Sequence, residues 1–312
     1  MKPEVILVSP VYPRTQEILE QEFSVHKLYE AADRDAFLRD HAPRARALAT
    51  FGPAGADAKR MDALPKLEII SHFGVGYDSV DIGHAKKRGI IVTNTPDVLN
   101  DCVADTAMSL ILNVLREFPQ SQAYMRSGYW AGRGAYPLTT ALGGKTLGIL
   151  GLGRIGEAIA KRAAAFGMKI RYHNRSKKKV AFPYDPDPET LAKNCTVLLV
   201  ATPGGKATEK LVGAKVLDAL GPKSYVVNIS RGSVIDEAVL LQYLRQKRIA
   251  GAGLDVFESE PNANPEWFAL QNAVIYPHVG SATHETRFAM GMLQVDNLRA
   301  HFAGKPVLTR VV

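Results

Sequence analysis

Gly151-Leu152-Gly153-Arg154-Ile155-Gly156 stands directly after the apolar run Leu147-Gly148-Ile149-Leu150 and opens a segment with helical spacing. Three glycines so placed let the backbone turn tightly and come close to a pyrophosphate, whose charge then faces the N–H groups of a helix start. With 26 glycines in 312 residues, chance supplies roughly 0.2 such spacings, so the context has to carry the reading. That context is a strand before the turn, then a helix over 154–166 with apolar Ile155, Ile159 and Ala163. Gly167 supplies a left-handed cap, and a further strand follows over 169–173. A strand, a glycine turn, a helix and a strand make a dinucleotide site at Gly151 to Gly156. Where this fingerprint ordinarily carries a carboxylate for a free ribose 2′-hydroxyl, the chain has Asn174-Arg175-Ser176. Arg and Ser accept a 2′-phosphate that an acid would repel, so the expected cofactor is NADP(H) in preference to NAD(H).

Short apolar runs alternate with helical segments through most of the chain, which points to an α/β protein of two doubly wound parallel-sheet domains. Runs at 5–8, 25–28, 47–50, 68–72 and 90–93 suffice for a five-stranded first domain. A helix over 99–117, with Val103, Ala107, Leu110, Ile111 and Val114 on one face, reads as a connector. Residues 127–144, rich in glycine, aromatics and threonine, read as an extended excursion. A second domain begins at Lys145, with strands at 146–150, 169–173, 197–200, 225–229, 251–254 and 274–276. The proline-rich link 183–188 excludes a helix crossing it. A last helix from His284 to about residue 301 is expected to return to the first domain. The expected division is therefore 1–97 with 285–312, and 98–284.

Composition narrows the class. Hydrophobic residues make up 46% and charged residues 22%, as in a globular enzyme. No apolar run reaches the ~18 residues of a membrane span. The first strand begins too early to leave room for a secretory leader. Cys102 and Cys195, both in apolar surroundings, read as buried thiols of a reducing, cytoplasmic compartment. The net charge of +8 includes Lys86-Lys87-Arg88 and Lys177-Lys178-Lys179. The first run ends a helix, where cations complement the dipole; the second adjoins Arg175. No zinc-ligand spacing, no RNA-binding signature and no aromatic-interleaved basic stripe is visible, so neither a metal nor a nucleic-acid partner is expected.

Parallel sheets bind ligands outside the carboxyl ends of their strands. Arg231, Glu260 and His278 follow three successive strands of the second domain, giving a cation, an acid and an imidazole at one edge. In the first domain Phe73-Gly74-Val75-Gly76 follows the fourth strand and offers backbone N–H groups to an anion. These parts suit reduction of a 2-keto acid in a cleft between the domains. Arg231 grips the carboxylate with a forked guanidinium, helped by the amides of Val75 and Gly76. His278 gives the proton, and Glu260 on its other ring nitrogen fixes the tautomer and favours the protonated donor. His72, His84 and His284 show no such partners in the sequence.

Those segments, with Leu254-Asp255-Val256-Phe257-Glu258-Ser259-Glu260-Pro261 and Pro277-His278-Val279-Gly280-Ser281, resemble the D-2-hydroxyacid dehydrogenases in their glyoxylate/hydroxypyruvate reductase branch. The resemblance runs in order through nearly the whole chain. It implies a flavodoxin-like substrate domain and a Rossmann cofactor domain, with Arg231, Glu260 and His278 as the catalytic set. It also implies cofactor contacts at Thr106, Thr202, Pro203, Ile229, Asp255 and Gly280, and a homodimer formed through the cofactor domain with 127–144 as an embracing arm. Trp130 or Tyr136 of that arm enters the neighbour's substrate pocket in this picture. Thr202-Pro203-Gly204-Gly205-Lys206 departs from the bulkier sequence usual there. Larger keto acids, such as 2-ketogluconate or aryl pyruvates, and a dinucleotide-sensing corepressor are the alternative readings.

Overall fold

Strands whose residues are apolar on both faces need cover on both sides, and the chain places them in parallel sheets flanked by helices. The computed structural model describes residues 2–312. The first sheet contains β1 (Glu4–Leu7), β2 (Ser24–Lys27), β3 (Ala45–Phe51), β4 (Ile69–Phe73) and β5 (Ile91–Thr93), in the order β2-β1-β3-β4-β5. The second contains β6 (Thr146–Leu150), β7 (Lys169–His173), β8 (Val197–Val200), β9 (Tyr225–Asn228), β10 (Gly251–Leu254) and β11 (Ala273–Ile275), ordered β11-β10-β9-β8-β6-β7. Both sheets thus share one winding, with a sixth strand added to the second. In each, the chain reverses its direction of travel beside the first strand. In the second sheet that switch lies between β6 and β8, where a parallel sheet opens a crevice for a ligand.

The chain forms two compact units, one running to Leu99 and resuming over Thr283–Val312, the other spanning Asn100–Ala282. These junctions are set by helix starts. Asn100 opens the helix Asn100–Arg116, and the Thr283 hydroxyl accepts the N–H of Thr286 to cap the helix His284–Phe302. Inside its unit, Asn100–Arg116 buries Val103, Ala107, Leu110, Ile111 and Val114 at helical spacing against β9, β10 and the helix Arg154–Ala165. No helix among the described residues is long and apolar enough to cross a membrane.

The return helix His284–Phe302 packs against β4 with polar as well as apolar groups. The buried Gln294 amide donates to the carbonyls of Thr50 (3.1 Å) and Ser71 (2.8 Å). Three residues on, Asn297 fastens the C-terminal tail. Its oxygen accepts from the N–H groups of Leu308 (2.9 Å) and Thr309 (3.2 Å), and its nitrogen donates to Thr309 Oγ1 (2.8 Å).

Two expectations need correction. Residues 127–144 are not uniformly extended: Gly128 takes a left-handed φ of 70° and starts the short helix Tyr129–Arg133. Edge contacts of Tyr124 with Tyr129 and Tyr136, at 5.6 and 5.4 Å, hold that turn. Cys195 is buried, and burial pushes its thiol up to about 12, but Cys102 is only half-buried; neither forms a disulfide.

Asn297→Ala is expected to cost about 1–3 kcal/mol of local stability, because the buried Asn297 amide makes three hydrogen bonds to the tail that are lost together. Hydrogen exchange at the amides of Leu308 and Thr309 reads this directly. Exchange rates equal to those of the unsubstituted protein would contradict it.

Candidate functional site

The glycine turn is built by close backbone approach. Gly151 sits at φ 102°, and a Cβ there would fall 2.6 Å from the backbone nitrogen of Thr202. A Cβ on Gly156 would lie 2.7 Å from the Gly151 carbonyl oxygen. At Gly153 an added Cβ meets nothing within 4 Å, so this side of the turn is open. Gly153 also caps the helix Arg154–Ala165 without a side chain to cover its first-turn N–H groups. An open, glycine-lined helix start fits a dinucleotide pyrophosphate.

Asn174 directly follows β7 and has a local structural task. Its Oδ1 accepts from Leu152 N at 2.6 Å and its Nδ2 donates to Leu152 O at 3.3 Å, so the amide braces the glycine turn. Arg175 and Ser176 follow it on the exposed surface. The loop beyond is folded by Tyr172, whose hydroxyl accepts from Lys178 N (2.9 Å) and donates to Lys178 O (3.1 Å). Around the same edge, Ile229 N donates to Val200 O and Pro203 O accepts from Thr208 Oγ1. The Thr106 hydroxyl bonds to Cys102 O at 3.2 Å and reaches Gly280 O at 3.4 Å.

Beyond β9, Asn228 shapes the turn that carries Arg231. Its Oδ1 accepts from Ser230 N (3.0 Å) and Ser230 Oγ (2.9 Å), while its Nδ2 donates to Arg231 O (2.9 Å). Arg231 Nη1 donates to Ser230 O at 2.8 Å. The next residue must be glycine: a Cβ on Gly232 would lie 1.9 Å from the Phe257 carbonyl carbon. That contact presses the loop after β9 onto the loop after β10.

The loop after β10 in turn holds the loop after β11. Buried Asp255 accepts from Val279 N (2.7 Å) and Gly280 N (2.8 Å). Burial pushes its carboxyl above the usual carboxylate range despite those two donors. Glu260 Oε1 accepts from Phe257 N at 2.9 Å, and its Oε2 lies 2.6 Å from His278 Nδ1. Burial works upward on Glu260 too. The bonds from His278 and Phe257 N, with the charges of His278 and Arg231, outweigh it and hold the carboxyl below its ordinary 4.5. His278 itself has φ 53°, a left-handed conformation uncommon for a residue with a side chain. Beside the pair lies a cavity of about 320 Å³ lined by Pro261, Phe268, Tyr276 and Pro277 among others.

Arg231, Glu260 and His278 therefore share one edge of the second unit, while Val75 and Gly76 belong to the first. There the carbonyl of Val75 accepts from Asn94 Nδ2 (2.9 Å), and His72 Nε2 lies 3.0 Å from Gly76 O. His72 thus shapes this loop, and His84 has a carboxylate partner in Asp62 at 2.7 Å, which sequence spacing did not reveal. Trp130 is exposed on the arm, whereas the Tyr136 hydroxyl is tied to Glu117 Oε2 at 2.8 Å. Asn228, and Asp255 in its bracing position, are the contributors that only the folded chain discloses.

A doubly wound sheet with an open glycine turn and an acid–imidazole pair on neighbouring strand ends defines a nicotinamide-dependent oxidoreductase. Residues 108–280 match the family model described as D-isomer specific 2-hydroxyacid dehydrogenase, NAD binding domain. The chain is 46% identical to glyoxylate/hydroxypyruvate reductase A of Arabidopsis thaliana over 99% of its own length and 98% of that protein. It is 47% identical to the hydroxyphenylpyruvate reductase of Plectranthus scutellarioides, covering 99% and 98%. Among solved structures, the NADPH-dependent glyoxylate/hydroxypyruvate reductase of Sinorhizobium meliloti, in complex with NADP and malonate, superposes with a TM-score of 0.93. That structure is 43% identical, covering 100% of this chain and 97% of its own. The chain belongs to the D-isomer specific 2-hydroxyacid dehydrogenase family and is an NAD(P)-dependent 2-keto acid reductase of the glyoxylate/hydroxypyruvate type.

The depressed Glu260 carboxyl has a consequence with a definite sign. A carboxylate whose folded value lies below its unfolded value stabilises fully above the unfolded value and ceases to do so as pH falls through the folded one. Relative to Glu260→Gln, the unsubstituted protein is expected to hold its advantage in unfolding free energy above pH 4.5 and lose it progressively below. A difference between the two that stays constant through acid pH would contradict this.

Proposed function

We propose that this protein reduces small 2-keto acids, glyoxylate and hydroxypyruvate foremost, to D-2-hydroxy acids and prefers NADPH. The observation that carries this is the 2.6 Å contact between Glu260 and His278 at a strand edge shared with Arg231. Arg231 forms charge-assisted bonds with the substrate carboxylate and fixes the orientation of its keto group. A nicotinamide cofactor held at the glycine turn would, when bound, supply the hydride that C2 accepts. His278 delivers a proton from its Nε2 as negative charge develops on the keto oxygen, so the carbonyl becomes a secondary alcohol. Glu260 holds Nδ1, which selects the ring nitrogen that faces the substrate and balances the imidazolium before the proton leaves.

Arg175 and Ser176 support the preference for NADPH. Both are exposed just past β7, and no acid replaces them at that position. The glycine turn from Gly151 through Leu152, Gly153, Arg154 and Ile155 to Gly156 receives the pyrophosphate, with Thr106, Thr202, Pro203, Ile229, Asp255 and Gly280 along the same strand ends. Exposed Trp130, rather than the tethered Tyr136, is the arm aromatic offered to a second copy in a homodimer. An aryl pyruvate is the second reading, favoured by the aromatic lining of the cavity beside Glu260 and by the 47% identity to a hydroxyphenylpyruvate reductase.

Oxidation of NADPH measured across a panel of 2-keto acids, with NADH as comparator, tests the substrate class. Glyoxylate and hydroxypyruvate are expected to give the highest kcat/KM; a dominant aryl pyruvate would favour the second reading.

His278→Ala is expected to lower kcat by about 10²–10⁴ while NADPH binding stays within a few-fold. Turnover near the unsubstituted rate would place the proton donor elsewhere. For Arg175→Ala, loss of a charge-assisted phosphate contact is expected to raise the KM for NADPH roughly tenfold or more and leave that for NADH nearly unchanged. Equal losses with both cofactors would refute the assignment of Arg175 to the 2′-phosphate.

A further inference from the structure

Glu4, His26 and His41 meet at a place that keto-acid reduction does not use. In the parallel register β1 sets Glu4 beside Ser24 and Ile6 beside His26, so Glu4 and His26 project on one face of the first sheet. The helix Arg34–His41 covers that face through Leu38, and its last residue is His41. His26 Nε2 lies 3.2 Å from Glu4 Oε2, and His41 Nδ1 lies 3.9 Å from the same oxygen. One atom from each of the three residues falls within 4.8 Å of the others. The two imidazole rings face each other at 3.9 Å, tilted by 33°.

These atoms are close without being satisfied. Glu4 Oε2 and His41 Nδ1 are buried and make no hydrogen bond. The other carboxylate oxygen is occupied, since Arg44 Nε donates to Glu4 Oε1 at 2.7 Å, which fixes the group and leaves Oε2 facing the two rings. His26 Nε2 has only Ser24 Oγ, at 3.4 Å, besides. A buried carboxylate oxygen and a buried imidazole nitrogen without hydrogen bonds, facing a second imidazole nitrogen that has only a long contact to Ser24 Oγ, form a donor set for a cation, not a self-contained cluster.

We propose that Glu4, His26 and His41 bind a divalent transition-metal ion of the zinc class. Ligand bonds of about 2.0–2.2 Å in a tetrahedron put donor atoms about 3.3–3.6 Å apart, and the observed separations bracket that spacing. Two nitrogens and one oxygen select against magnesium and calcium, which take oxygen ligands. Water completes the fourth position. Glu4 opens β1, so the site lies at the amino end of its strand, away from the carboxyl ends that carry the chemistry. The ion pins edge strand β2 and the covering helix to β1, a structural role. Residue spacing did not disclose it because the ligands come from three separate elements.

Isothermal calorimetry of zinc chloride into chelator-stripped full-length protein tests the proposal. One site of micromolar affinity is expected, retained in His278→Ala and weakened by a factor on the order of ten or more in His26→Gln and in His41→Gln. Magnesium chloride is expected to give no binding heat. X-ray absorption of the zinc-loaded, unsubstituted protein is expected to show two imidazole ligands, a readout that needs no variant to fold. Binding unchanged in both glutamine variants, no binding at several hundred micromolar zinc, or a spectrum without paired imidazoles would overturn the assignment.

Discussion

Two carboxylates leaving β10 grip the loop that leaves β11, and the geometry at the edge of the second sheet depends on that grip. Asp255 takes the N–H groups of Val279 and Gly280, and Glu260 takes Phe257 N on one oxygen and His278 on the other. Between these anchors His278 is held at a positive φ that an unsupported chain would rarely adopt. The imidazole is therefore aimed by backbone and not by the reach of a flexible side chain. Preorganisation of this kind is what makes a proton donor effective, since no rearrangement is needed as charge develops.

The neighbouring loops extend the same logic. Gly232 lets the turn after β9 lie directly on the backbone at Phe257, and Asn228 ties that turn through three hydrogen bonds. Across the switch point, Gly151 approaches the chain at Thr202 too closely for any side chain. Strand ends that would otherwise carry mobile loops are thus locked to one another by backbone contact. Buried Asp255 illustrates the cost: burial pushes its carboxyl upward, and two backbone donors oppose the shift. A residue in that position serves the loop, whatever else it touches.

Much of this was legible from the residues. Strand runs such as 197–200 and 251–254 read cleanly because both faces are buried and their residues are uniformly small or apolar. The turn at Gly151 to Gly156 read cleanly because three glycines at this spacing between a strand and a helix form a local pattern, although the close approach that requires Gly151 comes from distant Thr202. Other features were hidden for a physical reason: their partners are distant in sequence. The bracing bond of Asn174 to Leu152 shows only when the fold sets the two together, and His84 looks solitary until Asp62 arrives beside it. The helix over 129–133 escaped notice because glycine and aromatics lower local helix preference, while ring contacts from Tyr124 restore it. Gln294 and Asn297 gave no sign of their bonds to Ser71 and Thr309.

The most direct measurement is a crystal structure of the protein with NADP⁺ and oxamate, an unreactive analogue of a 2-keto acid. The oxamate carboxylate is expected within hydrogen-bond distance of the Arg231 guanidinium, and its amide carbonyl oxygen within that distance of His278 Nε2, with Glu260 still on Nδ1. Oxamate seated away from both side chains, or His278 turned off Glu260 in the complex, would contradict the assignment of these three residues to keto-acid reduction.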